Sequence, residues 1–180
     1  ALINLLGNVS DVSAMTKKSF EKRLITSQPH NGEIIDVDVN TYIAGTMRFE
    51  SGAIGTLFTT FDVYYPEQAR VEVYGSEGTL YVPDPNGFGG PIRLFRPGEG
   101  MREMPLNHPE TSRALGLADM AKALQTGRKF RCNCGQTYHV LEIMEGFTKS
   151  GDERREVKIE SRFEKSPIMR NDLECGVLED

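Results

Sequence analysis

A long run of two-residue alternation constrains this chain more than any other feature of its sequence. Over residues 37–49, apolar or small residues at odd positions alternate with largely polar ones at even positions, which is the period of a strand with one buried face. A turn at Glu50-Ser51-Gly52 follows, and a second run rich in Thr, Phe and Ile extends from Ala53 to Asp62. The two runs predict an antiparallel hairpin.

Further strands come before and after this hairpin, and helical spacing appears only late in the chain. Residues 9–16 are typical of a strand, a second hairpin surrounds Ser76-Glu77-Gly78, a third strand pair is predicted across Pro97-Gly98-Glu99-Gly100, and a short last strand lies within 157–160. Two helices are predicted from apolar stripes, which are Leu117, Met120, Ala121 and Leu124, then Val140, Ile143, Met144 and Phe147. This order favours an α+β fold with an open, mostly antiparallel β-sheet and helices packed on one face.

Residues 17–36 form a polar connection that is too long for a simple turn, and connections of that length are often functional. Its basic side chains include Lys17, Lys18 and Arg23, which we predict to contact a polar substrate or cofactor. The alternative is a solvated basic loop. His108, which precedes a predicted helix, is a weaker candidate for the same role.

Composition excludes several classes of function. With 21 Lys and Arg against 26 Asp and Glu, the formal charge is −5, so nothing indicates a nucleic-acid or anionic-membrane partner. No apolar run approaches the ~20 residues that a membrane-spanning helix needs, and the first residues do not form a secretory signal. The 3 cysteines are too few for a disulfide scaffold, which predicts a cytoplasmic location.

Three local patterns suggest chemistry but lack its full requirements. Cys132-Asn133-Cys134 has one intervening residue and no second cysteine pair, so we predict no metal site. His139 lies beside a helical stripe, and we interpret it as a half-buried, hydrogen-bonded core residue rather than a catalytic base. The glycine-rich stretch 87–90 precedes a predicted strand, whereas a phosphate-binding loop must open a helix.

The chain opens on Ala1-Leu2-Ile3-Asn4-Leu5-Leu6-Gly7, with apolar residues at helical spacing and no capping residue. We interpret this segment as the end of a longer helix, and therefore the chain as part of a longer protein. A short native terminal turn is the alternative. One domain over residues 1–165 and an extended or poorly ordered tail over 166–180 are predicted.

Several segments together resemble the C-terminal domain of the glucose–fructose oxidoreductase / inositol dehydrogenase / rhizopine catabolism (Gfo/Idh/MocA) family. The resemblance covers residues 1 to about 165. It rests on ALINLLG, VSDVSAMT, NTYIAGTMRFESGAIGTLFTTF, VEVYGSEGTLYVPDP, LADMAKAL and HVLEIMEGFTKSGDERREVKI.

The resemblance implies a two-domain oxidoreductase that uses NAD or NADP and acts on a sugar, inositol or related polyol. An N-terminal Rossmann domain would bind the cofactor, while this domain would supply one wall of the substrate site. Its sheet face would pair with another subunit in a homo-oligomer.

The sequence lacks the family's glycine-rich cofactor turn, its Glu-Lys-Pro and its Asp-x-x-x-His. We therefore assign no catalytic or cofactor-binding residue, and expect this chain alone to be inactive and to bind no cofactor. The alternative is a non-catalytic ligand-binding or dimerisation module that uses the open sheet face.

Overall fold

The computed structural model describes residues 1–64, 71–106, 113–170, 172–174 and 177–178. The chain divides into two compact units. The first, here called unit 1, comprises Ala1–Tyr65 and Cys134–Lys165, and unit 2 comprises Pro66–Asn133 and Ser166–Asp180. The elements in chain order are α1 (Leu2–Leu6), β1 (Val9–Lys17), β2 (Lys22–Leu24), β3 (Ile34–Asp36), β4 (Tyr42–Phe49), β5 (Ile54–Thr60), β6 (Val71–Gly75), β7 (Gly78–Val82), β8 (Ile92–Arg96), β9 (Gly100–Met104), α2 (Leu115–Thr126), α3 (Cys134–Glu153) and β10 (Val157–Lys158).

Unit 1 is built on a four-stranded antiparallel sheet in the order β10-β1-β4-β5. The predicted hairpin forms as β4 and β5, with Tyr42 opposite Thr60 and Arg48 opposite Ile54. However, β4 begins at residue 42 rather than 37. Its partner β1 ends opposite residue 42, so the alternating residues before it have no ladder to join.

The long connection contains a short hairpin that the sequence did not predict. Strand β2 pairs with β3, with Lys22 opposite Asp36 and Leu24 opposite Ile34. Strands of three residues are too short to show a period, which explains why the pattern of residues 17–36 suggested only a loop.

Helix α3 packs against one face of this sheet, and the core lies between them. The buried apolar residues of that core are Ile3, Val9, Val12, Met47, Phe49, Ile143, Phe147, Val157, Ile159 and Phe163. Helix α3 approaches β4 closely: a methyl group at Gly45 would lie only 2.7 Å from a ring carbon of Phe147. Strand residues whose side chains lie on the other side of the sheet remain uncovered among the described residues.

The predicted buried stripe of α3 is half wrong. Ile143 and Phe147 are buried, but Met144 is 60% exposed and Val140 is also exposed. The buried face turns toward His139 instead. That imidazole can be buried because both of its ring nitrogens are hydrogen-bonded, as described below.

Unit 2 contains a four-stranded antiparallel meander in the order β6-β7-β8-β9, which confirms both predicted strand pairs. The predicted buried stripe of α2 is wrong, since Leu117 and Leu124 are 72% and 76% exposed. The buried residues of α2 are Asp119 and Ala123. Asp119 lies on the opposite side of the helix, where it forms ion pairs with Arg128 and Arg131.

The predicted α+β class with antiparallel sheets is confirmed, although the strands form two four-stranded sheets and one two-stranded sheet rather than one. Within 166–180, the described residues contain no helix or strand. The domain limits predicted from the sequence stay predictions. None of the described helices is long and apolar enough to cross a membrane.

Candidate functional site

Lys17 and Arg23, two of the residues predicted to form a site, lie at one end of the sheet of unit 1. Lys17 is the last residue of β1, and the register places it in one row with Tyr42 of β4 and Thr60 of β5. Arg23 lies in β2, and Asp62 follows β5 by two residues. Residues that are distant in sequence thus meet at one end of the sheet, here called the β1-end cluster and consisting of Lys17, Ser19, Arg23, Thr60 and Asp62.

Asp62 is the centre of the β1-end cluster. Its carboxylate accepts hydrogen bonds from the Ser19 hydroxyl and the Arg23 guanidinium, and from the Thr60 hydroxyl at 3.3 Å. The Ser19 hydrogen bond, together with the Arg23 charge, outweighs desolvation and holds the pKa of Asp62 below its usual value. The carboxylate is therefore ionised at neutral pH, and it binds Arg23 as an ion pair.

Backbone hydrogen bonds through buried Thr41 fix the same end of the sheet. The Thr41 N–H donates to the Lys17 carbonyl at 3.0 Å, and the Phe61 N–H donates to the Thr41 carbonyl at 3.1 Å. The Thr41 hydroxyl accepts the Ser19 N–H at 3.1 Å. These contacts attach the segments carrying Ser19 and Asp62 to the sheet, so the cluster is positioned by regular structure.

The four sequence-predicted site residues have different environments. Lys18 forms an ion pair with Glu21 at 2.5 Å, and Arg23 is paired with Asp62. Lys17 is exposed, and no carboxylate of the described residues lies within ion-pair distance of it. His108 lies outside the described residues.

The sequence pattern did not indicate that Asp62, Ser19 or Thr60 would belong to this cluster. Asp62 follows a strand rich in Thr, where an acid shows no distinctive spacing to the basic residues of a loop 39 residues earlier. The available signal was the hairpin register, which returns the end of β5 to the end of β1. A carboxylate just beyond that strand would then have been a candidate partner for the basic loop.

The open face of the sheet in unit 1 adjoins the β1-end cluster. Its side chains come from the strand positions that point away from α3, and the exposed apolar ones are Met15, Ile54 and Phe58. The ring of Phe58 meets that of Tyr42 edge-to-face at 5.1 Å between centroids. An uncovered apolar face beside a polar cluster is typical of a surface that binds a partner.

His139 is a structural residue, as predicted, although it is fully buried rather than half-buried. Its Nε2 accepts the Val9 N–H at 3.0 Å, so the neutral ring carries its proton on Nδ1, which donates to the Ser161 hydroxyl at 2.9 Å. Burial lowers the pKa of His139 despite the neighbouring carboxylate of Glu142. The imidazole joins β1, α3 and the segment after β10.

Glu142 supports the same segment from α3. Its carboxylate accepts the N–H groups of Glu160 and Ser161, each at 2.8 Å. Burial raises its pKa, but the hydrogen bonds from Ser161 and the two N–H groups prevail, so the pKa of Glu142 lies below its usual value.

The remaining patterns show no site in the described part of the chain. Cys132 and Cys134 are free and exposed. No group of three or more potential metal ligands occurs among the described His, Cys, Asp and Glu residues. The glycine-rich stretch 87–90 leads into β8 rather than a helix, as predicted.

Several solved oxidoreductases contain a similar fold over less than half of their length. Levoglucosan dehydrogenase in complex with NADH and levoglucosan matches with a TM-score of 0.67 and 18% identity, covering 86% of this chain and 46% of that chain. An NAD binding oxidoreductase from Klebsiella pneumoniae matches with a TM-score of 0.68 and 17% identity, covering 87% of this chain and 47% of that chain. Aldose-aldose oxidoreductase from Caulobacter crescentus complexed with glycerol matches with a TM-score of 0.60 and 19% identity, covering 84% of this chain and 41% of that chain.

The first part of the sequence is similar to a known family. Residues 1–81 match the family model described as the GFO/IDH/MocA C-terminal domain, which confirms the predicted resemblance for these residues. Residues 1–81 are therefore similar to the C-terminal domain of that family. The chain spans less than half the length of the three solved structures, and a comparison with curated sequences gave no match.

Proposed function

We propose that this chain is the substrate and oligomerisation domain of an NAD- or NADP-dependent oxidoreductase that acts on a sugar, inositol or related polyol. The observation that carries the proposal is the family match over residues 1–81, which spans β1, β4, β5 and the whole β1-end cluster. The similar structures of levoglucosan dehydrogenase with NADH and levoglucosan, and of aldose-aldose oxidoreductase with glycerol, support this substrate and cofactor class.

Within this domain, the β1-end cluster would contact the substrate. Lys17 offers an exposed ammonium without a carboxylate partner among the described residues, so it is the first candidate for a hydroxyl or carbonyl oxygen. Arg23 and Lys18 would contribute remaining N–H donors, because their charges are already compensated by Asp62 and Glu21. His108 remains a weaker candidate.

The described residues do not fit a dinucleotide. Every strand pair in the described ranges is antiparallel, whereas the Rossmann site needs a strand, a glycine-rich turn and a helix in a parallel βαβ unit. The chain on its own should therefore give no saturable fluorescence or calorimetric signal with NADH or NADPH. Micromolar binding would contradict the assignment of cofactor binding to another domain.

The enzymatic proposal is tested on the protein as its gene encodes it. Reading the frame before residue 1 should reveal a glycine-rich cofactor turn, a Glu-Lys-Pro and an Asp-x-x-x-His. That protein should reduce NAD⁺ or NADP⁺ with at least one member of a panel of sugars and inositols. Lys17→Met should raise KM more than it lowers kcat, because Lys17 would bind substrate without moving a proton.

A matched control is Lys22→Met, since Lys22 belongs to the same connection but pairs with Asp36 at 3.4 Å. This variant should keep the parent KM. A protein that lacks the lysine and histidine of those motifs and turns over no member of the panel would favour the alternative, a non-catalytic ligand-binding or dimerisation module.

The open face of the sheet supports a second part of the proposal, a homo-oligomer formed through that face. Light scattering should show a dimer or larger species, and Thr46→Arg should dissociate it, because Thr46 is an exposed residue of β4 on this face. Thr137→Arg adds the same charge on α3, which covers the other face, and should leave the mass unchanged. A strict monomer at high concentration would overturn the pairing.

A further inference from the structure

One carboxylate binds the ends of three chain segments in the β1-end cluster. Asp62 receives the Ser19 hydroxyl from the segment after β1, the Arg23 guanidinium from β2 and the Thr60 hydroxyl from β5. Its own N–H donates to the Thr60 hydroxyl oxygen at 3.0 Å, so the carboxylate is attached to the strand that precedes it. The direction of the Arg23 side chain thus depends on Asp62.

Phe20 fixes the guanidinium from a second side. Its ring centroid lies 5.2 Å from the Arg23 Cζ atom, within the range of a cation–π contact. The side chains of Arg23 and Asp62 are 32% and 24% exposed, so a ligand can reach the pair, although the Arg23 Nε atom itself is buried. The pair is therefore a fixed, partly exposed group of donors and acceptors.

The cations that flank Arg23 in the connection are compensated, whereas the exposed Lys17 at the end of β1 has no carboxylate partner among the described residues. Lys18 pairs with Glu21 and Lys22 pairs with Asp36, in addition to the pair of Arg23 with Asp62. A phosphate or carboxylate that bound the Arg23 guanidinium would lie beside the Asp62 carboxylate bound to the same group. The two negative charges would repel each other. A neutral hydroxylated molecule pays no such cost, because carboxylate and guanidinium can each bind a hydroxyl.

We propose that Asp62 is a specificity-determining residue, which orients Arg23 and cancels its charge so that the Arg23–Asp62 pair excludes anionic ligands and accepts neutral polyols. The proposal rests on the proposed function for its polyol part and on the contacts of Asp62 for its exclusion of anions. Asp62 acts through Arg23, as a positioning residue.

The test compares Asp62→Asn with Asp11→Asn in this chain. Asp11 is matched because it also points to the open face and pairs with an arginine, Arg48, at 3.3 Å. Each variant removes one negative charge, so non-specific attraction of anions rises equally in both. The readout is the NMR resonance of the Arg23 guanidinium Cζ carbon during titration with inorganic phosphate and, separately, with myo-inositol.

Phosphate should not shift the Arg23 resonance of the parent chain or of Asp11→Asn. It should shift the resonance in Asp62→Asn, with an affinity at least about tenfold higher than in those two chains, because a charge-assisted hydrogen bond to Arg23 becomes available. Ser19→Ala loosens the cluster without changing its charge and should not gain phosphate binding. Equal phosphate binding by the parent chain, by Asp11→Asn or by Ser19→Ala would overturn the role of Asp62. If Asp62→Asn does not fold, Asp62→Ser serves the same comparison.

The myo-inositol titration separates this proposal from the proposed function. A shift of the Arg23 resonance by myo-inositol in the parent chain, weakened in Asp62→Asn, would support both. A missing shift, with the phosphate contrast intact, would count against a polyol site while leaving the charge-cancelling role of Asp62 in place. A shift by myo-inositol that is the same in both chains, without the phosphate contrast, would refute the role of Asp62 alone.

Discussion

Replacing Gly45 by alanine should destabilise unit 1, because helix α3 lies directly on this position of β4. A methyl group at residue 45 would lie 2.6 Å from the Ser13 carbonyl oxygen and 2.7 Å from Phe147 Cε1. One neighbour is backbone of the adjacent strand and the other is a buried ring, so neither can move away at low cost.

The magnitude follows from two opposing effects. Overpacking of a filled core costs about 1–3 kcal/mol. Replacing a glycine within a strand by alanine stabilises the fold by roughly 0.5–1 kcal/mol, because less backbone freedom is lost on folding. The net expectation for Gly45→Ala is a loss of about 1–2 kcal/mol in the free energy of unfolding.

Gly55→Ala is the matched control, since Gly55 lies on the neighbouring strand β5 and faces the same side of the sheet. Its methyl group would lie 3.1 Å from Met47 Cγ and 3.2 Å from Phe49 Cε2. A methionine side chain adapts more readily than a backbone carbonyl, and the gain in backbone entropy offsets the crowding, so the change should stay within about 0.5 kcal/mol.

Native-state hydrogen exchange is the suitable assay, because the chain has two compact units and a single melting temperature would mix them. Amides of β1, β4 and α3 should exchange about tenfold faster in Gly45→Ala and nearly unchanged in Gly55→Ala, since 1.4 kcal/mol corresponds to a factor of ten. Equal protection in the two variants would refute the claim that α3 contacts β4 at residue 45.

Three further perturbations test the polar interior. The pKa of His139 is lower in the folded protein than its unfolded value of about 6.5. Its contribution to stability is therefore complete above that unfolded pKa and falls as the pH decreases from there toward the folded pKa. His139→Gln should remove this part of the pH dependence of the free energy of unfolding. Asp119→Asn should destabilise unit 2 by about 3 kcal/mol, because two arginines would keep their charges beside a neutral buried group. Asp36→Asn, which removes an exposed ion pair, should cost less than about 1 kcal/mol. Equal losses of the two variants in denaturant titrations would contradict this expectation. Ser150→Ala should cost about 1–3 kcal/mol, because the buried hydroxyl accepts the Ala14 N–H at 2.9 Å and donates to the Arg155 carbonyl at 2.7 Å, and Thr148→Ala on the same helix should be nearly neutral by the same measurement.

The strand pairs could be predicted from sequence because their signals are local. Alternation, turn glycines and short separations identified the hairpins of β4 with β5 and of β6 with β7. The limits of β4 could not be read in the same way. They depend on where β1 ends, and β1 lies far earlier in the chain.

The buried faces of the helices were harder to predict. Hydrophobicity placed Leu117 and Met144 inward, yet both are exposed, while Asp119 and His139 are buried. A polar side chain becomes acceptable in a core only when its hydrogen-bond partners are present. Those partners come from other segments, so the pattern within one helix does not reveal them.

By itself the sequence determined the antiparallel α+β class, the hairpins and the family resemblance confirmed over residues 1–81, since all three depend on short-range pattern or on the chemistry of contiguous segments. It also marked Lys17, Lys18 and Arg23 as candidates. Only the tertiary structure decided which of these cations are compensated, because Asp62 reaches Arg23 through the register of three strands rather than through proximity in the chain. The electrostatic character of the candidate site is therefore a property of the folded sheet.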